Sequence, residues 1–128
     1  MTETIDFPIE PHATGAGSQC FTLLDGLDGL PESPGLYVLL GRGPGGLRPL
    51  GFGHSDCLAR VPRGTDFAAA LREGFHGVAI ARLPRDGDPQ QLIRRLGRTH
   101  HAPLNIRREA LRAIDAASLP QQMPLAAE

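Results

Sequence analysis

The chain has 128 residues, enough for one domain with a core that needs no staples, and a net charge of −1 from 13 Arg, no Lys and 14 acids. Two cysteines, Cys20 and Cys57, exclude a disulfide framework and show no metal-binding spacing, and no apolar run approaches the length of a membrane span. The acidic N-terminus does not read as a signal peptide, so free thiols, a cytoplasmic location and no membrane role are expected. An all-Arg, Ala-, Gly- and Pro-rich composition fits a GC-rich bacterial genome, which weakens any argument that a particular guanidinium was selected.

Charge is unevenly spread. Residues 1–33 hold six acids (Glu3, Asp6, Glu10, Asp25, Asp28, Glu32) and no Arg, whereas residues 34–112 hold all 13 Arg against six acids. The expected organisation is therefore an acidic, loosely ordered arm over 1–29, a basic domain over 30–117 and a frayed tail over 118–128. Such asymmetry fits a basic surface for nucleic acid, or an arm that covers a basic face.

Residues 1–20 show no helical or strand period, and only Ile5 and Phe7 offer docking groups. Residues 21–29 allow one short helical turn, limited by Gly26 and Gly29. Gly35–Leu40 is a near-continuous apolar run bounded by Pro34 and Gly41, which predicts a buried strand. Gly41–Gly46 is a reversal, and Leu47–Gly53 the return strand, whose glycines predict a bulge or a close backbone approach. Ser55-Asp56 predicts a helix start ending before Pro62, and Thr65-Asp66 a second start, with Phe67–Glu73 closed by Gly74. His76–Leu83 predicts a third strand. Asp88-Pro89 then caps a helix with Leu92, Ile93 and Leu96 on one face and Arg94, Arg95 and Arg98 off it. A loop over Thr99–Pro103 leads to a last helix from Ile106 to about Ala117, with Ile106, Ala110, Leu111 and Ile114 at helical spacing. The fold class expected is α+β, a small three-stranded, largely antiparallel sheet flanked by helices.

Four stretches carry a family likeness. These are Leu30-Pro31-Glu32-Ser33-Pro34-Gly35-Leu36-Tyr37; Gly51-Phe52-Gly53 with Ser55, Asp56 and Leu58; Leu92-Ile93-Arg94-Arg95; and Ala102-Pro103-Leu104-Asn105. Together they resemble the GIY-YIG nuclease domain, especially the version at the N-terminus of the bacterial excision-repair incision subunit. The resemblance implies phosphodiester hydrolysis with one divalent metal. Tyrosines would position the attacking water, an Arg would stabilise charge on the phosphate, and a Glu would bind the metal. Carried over by position, Tyr37 matches the first tyrosine and Asn105 the asparagine. The second tyrosine position is Gly51. The Arg position is Val61, with Arg60 one residue early, a rotation of roughly 100° on a helix. The Glu position falls near Gln90–Leu92, where no acid lies; Asp88 is the nearest carboxylate. The resemblance therefore implies a fold that is degenerate at its catalytic positions.

Each of these residues also has a structural reading, which we prefer: Tyr37 as a strand aromatic with its hydroxyl at the rim, Asn105 as a helix cap, His54 as a surface loop histidine. His100-His101 lacks a third ligand nearby, His76 has no partner, and the Arg face of the helix with Arg94, Arg95 and Arg98 reads first as solvated. No P-loop, GxGxxG opening a helix after a strand, HExxH or GxSxG is present. The expected function is a non-catalytic domain binding DNA or RNA through Arg60, Arg63, Arg94, Arg95 and Arg98, with no cofactor and no metal site. One alternative is a protein-interaction or regulatory module with a protein partner on the groove. The other is a metal-dependent endonuclease with a rearranged site built from Tyr37, His54, Arg60 and Asp88, with Asn105, for which Mg2+ would be the cofactor.

Overall fold

The computed structural model describes residues 3–10 and 17–127, with side chains up to residue 117. Strand β3 (Gly35–Gly43) is the centre, because its apolar run serves both sheet faces at once. Leu36, Val38 and Leu40 point into one core with Phe52, Ile93 and Leu96, while Tyr37 and Leu39 point into a second with Leu50, Leu58, Val61 and Ala70. β4 (Gly46–Ser55) returns along one side of β3 after a tight reversal closed by Gly43 and Gly46. The register slips between Leu39 and Leu40, leaving Leu50 as the extra residue of the predicted bulge. β5 (Phe75–Ala81) runs antiparallel along the other side of β3.

The sheet has five strands, not the predicted three. β1 (Thr4–Pro8) and β2 (Ser18–Leu23) form a hairpin that joins the sheet through β2 and β5, giving the order β1-β2-β5-β3-β4, antiparallel throughout. Much of the segment expected to be a loose arm is thus part of the sheet; residues 1–2 and 11–16 lie outside the described residues. Each new strand buries only one side chain fully, Phe7 or Phe21. Those two rings meet Phe52 and the His100 imidazole at centroid separations of 5.1–6.0 Å. The hairpin is held by this aromatic cluster, by Thr99 Oγ1 donating to the Ile9 carbonyl (2.7 Å) and by His100 Nε2 donating to the Pro8 carbonyl (2.8 Å). So short a period is too weak a signal in the chain alone.

Around the sheet lie a 3-10 turn (Leu27–Gly29), a 3-10 helix (Leu58–Arg63), α1 (Thr65–Arg72), α2 (Pro89–Thr99) and α3 (Pro103–Ala127). The 3-10 helix and α1 cover one face and α2 the other. The helix predicted to stop before Pro62 runs through it, because the tighter 3-10 form spends few backbone N–H groups. α2 begins as predicted, with Asp88 Oδ1 accepting from the Gln90 amide at 3.0 Å. α3 starts three residues earlier than predicted and its backbone continues past Ala117 through the segment expected to fray; residue 128 lies outside the described residues. The architecture is α+β. Among the described residues no helix is long and apolar enough to cross a membrane.

Candidate functional site

β4 is an edge strand, and its outer row of backbone groups must find partners. α3 supplies them. Phe52, in the middle of Gly51-Phe52-Gly53, donates its N–H to Asn105 Oδ1 (2.7 Å) and accepts at its carbonyl from Asn105 Nδ2 (3.1 Å). The Asn105 side chain thus mimics one rung of a strand ladder. Asn105 lies inside α3, so the cap predicted for it is replaced by this edge clamp. The clamp needs close packing: a Cβ at Gly97 of α2 would sit 2.5 Å from the Asn105 Cβ.

Arg108, one turn further along α3, approaches the same Phe52 carbonyl at 3.5 Å and donates to Asp66 Oδ2. Tyr37 donates its hydroxyl to that same carboxylate oxygen at 2.9 Å. The Tyr37 ring is buried and lies over Gly53, where a Cβ would collide with it. Burial, and then the Asp66 charge, push the Tyr37 hydroxyl far above the usual tyrosine range, against a smaller opposing effect of Arg108. A tyrosinate there is strongly disfavoured. The second tyrosine position, Gly51, has no space for a side chain, since a Cβ would meet Leu104 at 2.9 Å.

Around Tyr37 and Asp66 opens a cleft of about 220 Å3, lined also by His54, Ser55, Arg60, Val61, Gly64 and Thr65. Val61 turns into the core, and the 3-10 geometry brings Arg60 to the cleft instead. Arg60 and Arg63 make no ion pair among the described residues. The N-terminus of α1 opens here at Gly64 and Thr65 without a side-chain cap. On the other side of His54, the Gln90 amide satisfies two neighbours in one orientation. Its nitrogen donates to His54 Nε2 (3.1 Å), and its oxygen accepts from Arg112 Nη1 and Nη2 (3.1 and 2.9 Å). This leaves Nδ1 of His54 as the N–H donor.

The predicted Arg set does not share one face. Arg60 and Arg63 lie on the face covered by the 3-10 helix. Arg94, Arg95 and Arg98 lie on α2, across the sheet, where Arg94 and Arg98 pair with Glu109 (3.0 and 3.2 Å) and Arg95 pairs with Glu10 (3.1 Å). The first pair of bonds holds Glu109 below the usual carboxylate range and fastens α2 to α3. Asp88 is occupied as the α2 cap. His100 holds β1, and neither it nor His101 belongs to a metal-ligand group: no cluster of three or more His, Cys, Asp or Glu that could hold an ion occurs among the described residues. Mg2+ does not fit the cleft either, because its carboxylate, Asp66, is already engaged by Arg108 and Tyr37 and the remaining lining side chains bring no second one.

Asp66, Arg108 and Arg112 are site residues that sequence reasoning missed. Their signal was the polar stripe Asn105, Arg108, Arg112 on α3, opposite the apolar residues predicted to face the core. Ile106, Leu111 and Ile114 are 48, 57 and 60% exposed. The helix covers a sheet edge, which asks for hydrogen bonds, so its polar side turns inward. At the other end of the strands, Glu3, Asp25, Asp28 and His76 line an open depression of about 930 Å3, so these acids stand away from the Arg60 cleft. No family model, no curated protein and no solved structure matches this chain.

Proposed function

We propose that the chain is a non-catalytic, GIY-YIG-like domain that binds the phosphate backbone of DNA or RNA at the cleft beside β4. The observation that carries the binding reading is the meeting of Arg60 and the uncapped start of α1 at one cleft whose carboxylate is neutralised by Arg108. An anion there meets a guanidinium and backbone amides at a positive helix end. The family likeness is supported by the way its motif residues meet: Asn105 clamps Phe52 of Gly51-Phe52-Gly53, and Tyr37 lies over Gly53. The non-catalytic reading rests on the Tyr37 hydroxyl being spent on Asp66 and held protonated.

The test is a fluorescence titration with labelled single-stranded, duplex and branched DNA and duplex RNA, at low and moderate salt. Binding should weaken steeply with salt, and Arg60→Ala should lower affinity and make the salt slope shallower by about one. Arg94→Ala should change neither, because Arg94 faces Glu109 across the sheet. Absent or salt-independent binding refutes the reading. A protein-interaction module is the second reading, favoured by the exposed Ile106 and Leu111 of α3; it requires no affinity for any of these probes.

A further inference from the structure

Gln90, in the first turn of α2, stands between His54 near the end of β4 and Arg112 of α3. Its amide has one accepting end and one donating end for these two neighbours. With the oxygen toward Arg112, it accepts from both guanidinium nitrogens (3.1 and 2.9 Å), and the amide nitrogen donates to His54 Nε2 (3.1 Å). Turned the other way, the oxygen lies 3.1 Å from the same Nε2 and accepts from it, and the amide nitrogen then faces the Arg112 donors with nothing to offer them. A neutral imidazole can present Nε2 as an acceptor, whereas a protonated one carries a donor on each nitrogen. The two charge states of His54 therefore require opposite orientations of the Gln90 amide, and only one of these holds Arg112.

We infer that His54, Gln90 and Arg112 form a pH-sensitive relay, which holds this turn of α3 to α2 while the imidazole is neutral and releases it when the imidazole gains a proton. The other groups around His54 do not take over from the amide. Tyr37 of β3 and Arg108 of α3 are both bound to Asp66 of α1. Ser55 Oγ donates to the Cys57 carbonyl, and Asp88 of α2 accepts from the Gln90 backbone N–H. Arg60 of the 3-10 helix, at the cleft beside His54, is a cation. Among the described residues no carboxylate pairs with His54 or Arg112. Protonation also sets a second positive charge one side chain away from Arg112, which acts in the same direction. The release is local. Asn105 and Arg108 hold the first turns of α3 without His54, and Glu109, kept below the usual carboxylate range by Arg94 and Arg98, stays ionised. An imidazole changes charge between about pH 5 and 8, so the hold is present at the upper end of that range and lost toward the lower.

Nuclear magnetic resonance of the isotopically labelled full chain, from about pH 8 to about pH 5, tests this. The imidazole signals report His54, the guanidinium signal reports Arg112, and amide exchange relative to an unstructured peptide reports the helix. The Arg112 signal and the α3 amides next to it should move with the His54 titration. Protection of those amides should fall about two- to fivefold, the size of one exposed polar contact, while the Phe52 amide clamped by Asn105 keeps its protection. Gln90→Glu gives Arg112 an acceptor and also accepts from an Nε2–H in either charge state of His54. In that variant the α3 response should vanish while His54 still titrates. His54→Gln should abolish the response too, which separates His54 from His100 and His101. Circular dichroism should match the parent for both variants, since His54 is exposed and Gln90 half-buried at the start of a helix. An α3 that stays unchanged while His54 titrates overturns the inference. So does a response that persists in Gln90→Glu or in His54→Gln.

Discussion

Asn105 is 5% exposed and holds both polar groups of one edge residue, so its replacement is a direct probe of how β4 is secured. Asn105→Ala removes the acceptor for the Phe52 N–H and the nearer donor to its carbonyl. The carbonyl keeps the longer contact with Arg108 at 3.5 Å; the N–H keeps nothing beneath α3. A buried donor left unmade costs about 1–3 kcal/mol and the second bond about 1 kcal/mol, a total of about 2–4 kcal/mol. For a chain of this size that is a fall of roughly 8–16 °C in thermal midpoint. Asn105→Asp separates the two bonds. Its carboxylate still accepts from the N–H but sets an oxygen against the Phe52 carbonyl where the amide nitrogen was. Protonated, the same carboxyl can donate to that carbonyl. Burial and the facing carbonyl raise its folded pKa above the unfolded value of about 3.9. The stability of the neutral form is therefore present below that value and lost as pH rises through the folded one. Urea unfolding followed by circular dichroism, near neutral pH and near pH 4, should show the gap between Asn105→Asp and the parent closing in acid while that of Asn105→Ala stays constant. If Asn105→Ala costs under about 0.5 kcal/mol, or Asn105→Asp matches the parent at neutral pH, the edge clamp is not what holds β4.

Further outcomes follow from the same geometry. Tyr37 is the sole Tyr in a chain without Trp, so tyrosinate absorbance reports it alone. Its raised folded pKa means that stability is fully present below the unfolded value of about 10 and lost as pH rises through the folded one. Alkaline titration should show no native tyrosinate near pH 10, with absorbance appearing together with loss of circular dichroism; a separate native titration there contradicts the buried Tyr37–Asp66 bond. Gly53→Ala forces the Tyr37 ring off its seat and should cost about 1–3 kcal/mol in urea unfolding. Glu109 is depressed by Arg94 first and Arg98 second, so its contribution is present above the usual carboxylate value and lost as pH falls through the depressed one. Glu109→Gln should flatten that acid limb, while a double-mutant cycle of Arg94→Ala with Glu109→Gln should give a coupling of at most about 1 kcal/mol.

The central hairpin, β5, α1 and α2 were legible because each carries a local signal. β3 has its apolar run, the Gly41–Gly46 reversal its glycines, and α2 its Asp88 cap and its Leu92, Ile93, Leu96 stripe. β1 and β2 were not, because their strand state depends on Phe7 and Phe21 reaching Phe52 and His100 across the fold. The site was partly legible. Tyr37 and Arg60 line one cleft, but the His54 ring turns to Gln90 of α2, and Arg94, Arg95 and Arg98 belong to a different face, set by which side of the sheet α2 covers. α3 was read with its apolar side inward since helices usually pack on faces; here it packs on an edge, and the sign of its amphipathicity reverses.

What the sequence by itself determined is the local grammar: where the chain turns, which strand is apolar on both sides, and where α2 begins. Those features depend on neighbours a few residues apart, through backbone geometry, capping and hydrophobic period. Only the tertiary structure decided that Asp66 joins Tyr37 to Arg108, that Gln90 joins His54 to Arg112, and that Asn105 completes the edge of β4. These contacts join residues 22 to 53 positions apart, and the need they meet, an unpaired strand edge and a half-buried carboxylate, does not exist until the sheet has formed.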